Sequence, residues 1–133
     1  GKVIKMEGGN FIMEKKMKTH GKLAISASAS NTEGNVDSRF GRCPYFLIVT
    51  LNNLNVEKVK GIENVQMDAR GGAGVSAATL LAKYEVDALI TGNIGPRALD
   101  VLKQFDITVY PFEGTVKAAI KAYTEKTLKK IEE

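Results

Sequence analysis

Apolar positions along the chain fall into two periods, and the switches between them lay out the elements. Leu23 to Ser28 sets leucine and isoleucine between small residues and predicts a first strand. Tyr45 to Leu51 is aromatic and β-branched, the composition of a second strand, and Asn52-Asn53 predicts a hairpin turn into a third strand at Asn55 to Lys60. Lys58 and Lys60 suit that third strand to a sheet edge, where charge resists pairing with another molecule. Gly71-Gly72-Ala73-Gly74 then opens a helix to about Tyr84, with Val75, Ala78, Leu81 and Ala82 along one side. Asp87 to Thr91 has no polar alternation after its first residue and predicts a fourth strand buried on both faces. Gly92 and Gly95 shape a turn, and Pro96 occupies the first position of a second helix that ends near Phe105. Ile107 to Tyr110 is a fifth strand, halted by Pro111. Gly114-Thr115 starts a last helix, in which Val116, Ala119, Ile120, Tyr123 and Ile131 recur at helical spacing.

The order βββαβαβα predicts an α/β fold of ribonuclease H-like architecture, a mixed five-stranded sheet with three main helices. A short hairpin makes the second and third strands antiparallel neighbours, whereas crossover helices deliver the later strands in parallel. The long loop at residues 29–44, the glycine run at 71–74, the turn at 92–96 and the start of the last helix therefore belong to one edge of the sheet. Loops as long as the first are usually functional in a compact domain.

At 133 residues the length fits one domain, expected over residues 22–133 behind a flexible basic leader at 1–21. The leader reads in part as an expression remnant, with Met13 or Met17 as candidate native starts. Its single histidine, His20, has no second ligand type at metal-binding spacing beside it. The pI of 9.2 invites a nucleic-acid reading, but residues 1–22 carry six lysines against Glu7 and Glu14, while the chain from Leu23 onward is neutral by count. Nucleic acid is therefore not an expected partner. No apolar run reaches the roughly 20 residues of a membrane span. One cysteine and no visible secretory leader point to a cytoplasmic protein.

Charge placement narrows the chemistry. All four arginines, Arg39, Arg42, Arg70 and Arg97, fall in or beside the segments assigned to one sheet edge, together with three helix N-termini. A helix N-terminus offers free N–H groups and partial positive charge, and a guanidinium adds a planar donor fork, so the edge suits an anion. In the plainer reading the glycines only shape turns and the arginines pair with Asp37, Asp68 or Asp100. A two-metal nuclease is excluded, because the first and fourth strands lack clustered carboxylates. Gly71-Gly72-Ala73-Gly74 lacks the Lys-Ser/Thr of a nucleotide-hydrolase loop, and no Ser-His-Asp set can form. Cys43, between Arg42 and Pro44, is the remaining reactive group. Neighbouring arginines would lower its pKa and make it a nucleophile or soft metal ligand; alternatively it is a small buried residue.

Asp37-Ser38-Arg39-Phe40-Gly41-Arg42-Cys43-Pro44-Tyr45-Phe46, with Thr91-Gly92-Asn93-Ile94-Gly95-Pro96-Arg97-Ala98 and Ile107-Thr108-Val109-Tyr110, resembles the small dinitrogenase iron-molybdenum cofactor biosynthesis family over roughly Lys22 to Tyr123. The resemblance implies a ribonuclease H-like domain and, from nitrogen-fixation members, a part in carrying iron–sulfur precursors of the nitrogenase cofactor. Residues and resemblance together lead to the expectation of a non-enzymatic carrier for an anionic iron–sulfur or iron-molybdenum precursor cluster, or a similar small anion. The expected site comprises Arg39, Phe40, Gly41, Arg42, Arg70, Gly72, Gly74, Gly92, Asn93, Gly95 and Arg97, with Cys43 as a metal ligand. A cluster donor or acceptor protein is the expected macromolecular partner. A module docking an acidic partner and a Cys43-dependent enzyme remain the alternatives.

Overall fold

The computed structural model describes residues 20–65 and 72–131. Its elements are β1 (His20–Ala27), β2 (Tyr45–Asn52), β3 (Asn55–Glu63), α1 (Ala73–Lys83), β4 (Ala88–Thr91), α2 (Pro96–Gln104), β5 (Thr108–Pro111) and α3 (Val116–Thr124), with a single 3-10 turn at Phe40–Arg42 inside the first loop. The sheet order is β3-β2-β1-β4-β5. β2 lies antiparallel to both β1 and β3, whereas β4 is parallel to both β1 and β5. This is the expected ribonuclease H-like topology. β1 begins two residues inside the stretch expected as leader, and the rest of that stretch lies outside the described residues.

The two-residue period of the strands sorts their side chains into two cores. Phe46, Ile48, Ala24 and Leu89 face α1 and α2, whose Ala77, Ala78, Leu81, Ala98 and Leu102 complete that layer. Leu23, Ile25, Ala27, Leu47, Val49 and Ile90 face the other way, toward Val116 and Ala119 of α3. β1 thus sits mid-sheet with Leu23 to Ala27 wholly buried, which is why that stretch carries one polar side chain only, Ser26. β3 is the sheet edge. Its mostly exposed residues and the register shift opposite Thr50/Leu51 are two ways of blunting an open edge.

The last helix is shorter than its apolar spacing predicts. α3 ends at Thr124, Lys126 turns the chain at φ 61°, and the Ile131 amide donates to the Val109 carbonyl at 2.8 Å. The segment straps the outer edge of β5. Leu128 packs against the α3-side core and Ile131 against the α1/α2-side core, so Ile131 is apolar because it crosses the sheet, not because a helix continues. Replacing Ile131 with alanine is expected to cost about 1–2 kcal/mol, a partly buried aliphatic deletion, read as a lowered midpoint in thermal or urea unfolding.

Candidate functional site

The long loop is wired to the sheet by its main chain. The Asp37 amide donates to the Ser26 carbonyl at 2.8 Å, the Gly92 amide donates to the Asp37 carbonyl at 3.2 Å, and the Phe40 amide donates to the Asn93 carbonyl at 3.3 Å. Ser26 Oγ donates to the Asp37 carbonyl at 2.9 Å and lies 2.7 Å from Thr91 Oγ1, so the two buried hydroxyls are satisfied where β1 and β4 end. Gly92 lacks a side chain for a steric reason: a Cβ there would come within 2.5 Å of Ser38 Cα. These ties hold residues 38–42 as a lip in front of α1 and α2.

Gly41 brings the lip against α1. A Cβ on it would stand 2.6 Å from the Gly74 amide nitrogen and 2.8 Å from Gly74 Cα. Buried Asn64 fixes the lip from behind, its Nδ2 donating to the carbonyls of Gly41 at 3.0 Å and Cys43 at 2.8 Å. Nothing in the sequence singled out Asn64, since a buried amide at the end of an edge strand carries no periodic or motif signal.

Between lip and helices lies a cavity of about 760 Å³, lined by Ser38, Arg39, Phe40, Gly41, Arg42, Gly72, Ala73, Gly74, Val75, Asn93, Ile94, Gly95, Pro96, Arg97 and Ala98. Nine of the expected site residues meet there: Arg39, Phe40, Gly41, Arg42, Gly72, Gly74, Asn93, Gly95 and Arg97. Gly92 supports the floor from outside, and Arg70 lies outside the described residues. Both helices open toward the cavity with glycine at the N-cap and no side-chain cap, Gly72 at φ 70° for α1 and Gly95 for α2. The first-turn amides of Ala73, Gly74 and Val75, and of Arg97 and Ala98, consequently have no intrahelical partner. Among the described residues no acidic side chain lines the cavity, and two helix dipoles point their positive ends into it.

Three expectations about this edge are corrected. First, three helix N-termini do not converge. α3 packs on the opposite face of the sheet, and Thr115 Oγ1 closes its first turn by accepting from the Ala118 amide at 3.0 Å. Second, the arginines are not equivalent. Arg39 Nε and Nη2 donate to the two Asp37 carboxylate oxygens, each at 3.0 Å, and the Arg39 amide donates to Oδ1 at 2.8 Å. The Arg39 side chain holds the Asp37 carboxyl below its ordinary value of 3.8, against the opposing effect of burial. Arg42 is exposed at the cavity, and Arg97, also exposed there, makes no ion pair among the described residues. The Asp37-x-Arg39 spacing was the available signal for the pairing.

Third, Cys43 is not an activated thiol. It is fully buried, its Sγ donates to the Phe40 carbonyl at 3.3 Å, and burial, with a further contribution from the Asp37 charge, pushes its pKa up to about 12. The neighbouring Arg39 and Arg42 are exposed, and their charge does not offset the cost of burying a thiolate. Native protein at pH 7 is expected to resist iodoacetamide, with alkylation recovering in denaturant; mass spectrometry of the Cys43 peptide reads both. Among the described residues no group of three or more His, Cys, Asp or Glu side chains could hold a metal ion. No helix of the described residues is long and apolar enough to cross a membrane.

The fold is shared with solved proteins. The apo form of the orange protein from Desulfovibrio gigas superposes with a TM-score of 0.77 and 28% identity, over 84% of this chain and 92% of that one. A Thermotoga protein provisionally designated a NifB protein gives a TM-score of 0.70 and 33% identity, over 83% and 92%. In sequence, an uncharacterized protein of Methanocaldococcus jannaschii is 39% identical over 94 residues, which are 70% of this chain and 80% of the relative. The model of the family described as dinitrogenase iron-molybdenum cofactor matches residues 22–126, a span holding β2 to α3 whole, nearly all of β1, and every residue of the cavity lining. By that match, the chain belongs to the dinitrogenase iron-molybdenum cofactor family.

Proposed function

We propose that this protein is a non-enzymatic carrier that holds an anionic metallocluster precursor, or a comparable small anion, in the cavity between the lip and the starts of α1 and α2. One observation carries the reading: two uncapped helix N-termini share a cavity lined, among the described residues, by arginines and by no carboxylate. Iron–sulfur clusters are generally anionic, since sulfide and thiolate charges outweigh the iron, and a nest of amides and guanidinium groups stabilises such a charge without a bond to the metal. The family name and the apo designation of the orange protein support a bound group of this class.

The cavity residues divide the work. The amides of Gly74 and Arg97 lead the two first turns and accept the negative face of the cargo. Arg42 and Arg97 supply mobile charge, while Phe40 closes the base of the lip and Ile94 and Val75 give apolar walls. Among the described residues the cavity lining contains no cysteine, histidine or carboxylate, so retention rests on outer contacts. Such a grip releases cargo readily to an acceptor protein, as a carrier requires. Cys43, buried as a thiol behind the lip, acts in packing.

The test is a titration of ¹⁵N-labelled protein with sulfate, followed under anaerobic conditions by iron and sulfide supplied as a preformed cluster. The amide signals of Gly74, Ala98 and Arg97 are expected to shift together and saturably, and the loaded protein to retain cluster without help from Cys43. Unmoved first-turn amides in both titrations would overturn the reading.

A further inference from the structure

Asp37 stands at the lip of a cavity assigned to anions, although its own charge has the wrong sign for that role. Its carboxylate takes three donors from Arg39, a residue of the cavity lining, at 2.8 to 3.0 Å. The two side chains differ in access: Asp37 is 10% exposed and Arg39 60%. The carboxylate is therefore set into the protein with the guanidinium laid over it toward water. Since the main chain of Asp37 already binds Ser26 and Gly92, the lip does not need this carboxylate for its attachment to the sheet.

We infer that Asp37 is an internal counter-anion that sets the strength of the site, cancelling the charge of Arg39, whereas Arg97, which makes no ion pair among the described residues, meets the cargo directly. The inference rests on the reading of the cavity as an anion receptor. A guanidinium satisfied in a two-point carboxylate pair has lost the two N–H vectors best suited to an oxyanion, and the pair as a whole is neutral. Affinity is thereby held down, which favours release of cargo over its retention. The pair also fixes which arginines discriminate: substitutions at Arg97 act on the cargo directly, whereas those at Arg39 act through the carboxylate they leave bare.

Charge cancellation makes opposite predictions for the two partners. Sulfate affinity, measured from the Gly74 and Arg97 amide shifts, is expected to rise about fivefold in Asp37→Asn, where Arg39 becomes available, and to fall about fivefold in Arg39→Gln, where the carboxylate faces the cavity unpaired. The double variant is expected to return within about twofold of the parent protein. Asp37→Ser, which also keeps an oxygen for the Arg39 amide, reaches the same charge state by a second route and is expected to tighten binding likewise, should the asparagine variant fold poorly. Weaker or unchanged binding in both Asp37 variants, with the parent protein still binding sulfate, would overturn the counter-anion role and leave the receptor intact. Absence of shifts in the parent protein itself would instead remove the receptor, and this inference with it.

Discussion

Replacing Gly95 with aspartate is expected to stabilise the protein and abolish its affinity for anions at the same time. Gly95 is the N-cap of α2, at φ −78° and ψ 163°, a backbone that any residue adopts, and a Cβ built there has no atom within 4 Å. An aspartate at that position accepts from the amides of Arg97 and Ala98 and places its charge on the positive end of the helix. Capping and dipole together are worth about 0.5–1 kcal/mol. The same carboxylate occupies the donors that the cargo requires and repels it, so sulfate affinity is expected to fall by about tenfold or more. Urea unfolding reads the first effect and the amide titration the second. A rise in stability with unaltered binding would show that α2 contributes nothing to the receptor. Few substitutions separate the two quantities so cleanly, because most changes that impair a site also loosen the fold around it.

The second large effect concerns Gly41. A methyl group on it meets the backbone of α1 at 2.6 to 2.9 Å, and backbone cannot swing aside as the end of a long side chain can. Gly41→Ala is expected to cost about 2–3 kcal/mol through this overpacking. The lip can relieve the clash only by moving away from Gly74, which opens the cavity, so anion binding is expected to weaken as well. Gly95→Ala is the matched control. It adds the same methyl group into open space, and its stability is expected to stay within about 0.5 kcal/mol of the parent, since the loss from alanine's poorer N-capping is offset by the reduced freedom of the unfolded chain. Equal losses in the two variants would mean that intrinsic glycine preference, not the contact with α1, governs the lip.

Much of this architecture was legible in the chain because strands and helices here obey their periods strictly. Leu23 to Ala27 and Ala88 to Thr91 are buried on both faces, and an unbroken apolar run has few other interpretations. The hairpin, read at Asn52-Asn53 and turning one residue later at Asn53-Leu54, gave the direction of β2 and β3, and that direction placed the long loop beside the starts of α1 and α2. What stayed hidden was set by contacts without local pattern. All three helices end with a left-handed residue that is not glycine, Glu85, Asp106 and Lys126, so no stop signal marked the end of α3. Apolar spacing then carried the helix on to Ile131, a residue that is apolar for the strap. Likewise, the pairing of Arg39 depends on where Asp37 points, and a two-residue separation alone does not decide it. Cys43 misled for a related reason: flanking charges in sequence say little about a side chain that turns inward while its neighbours turn out.

The lip is hung from the sheet by main-chain bonds through Ser26, Asp37, Gly92 and Asn93, and none of these bonds uses a side chain of residues 39, 42 or 97. Those three residues are presented by a frame whose main-chain ties lie elsewhere. Such a platform lends itself to redesign: exchanging those three positions for neutral or acidic residues alters the kind of guest admitted while the mould that shapes the opening is kept.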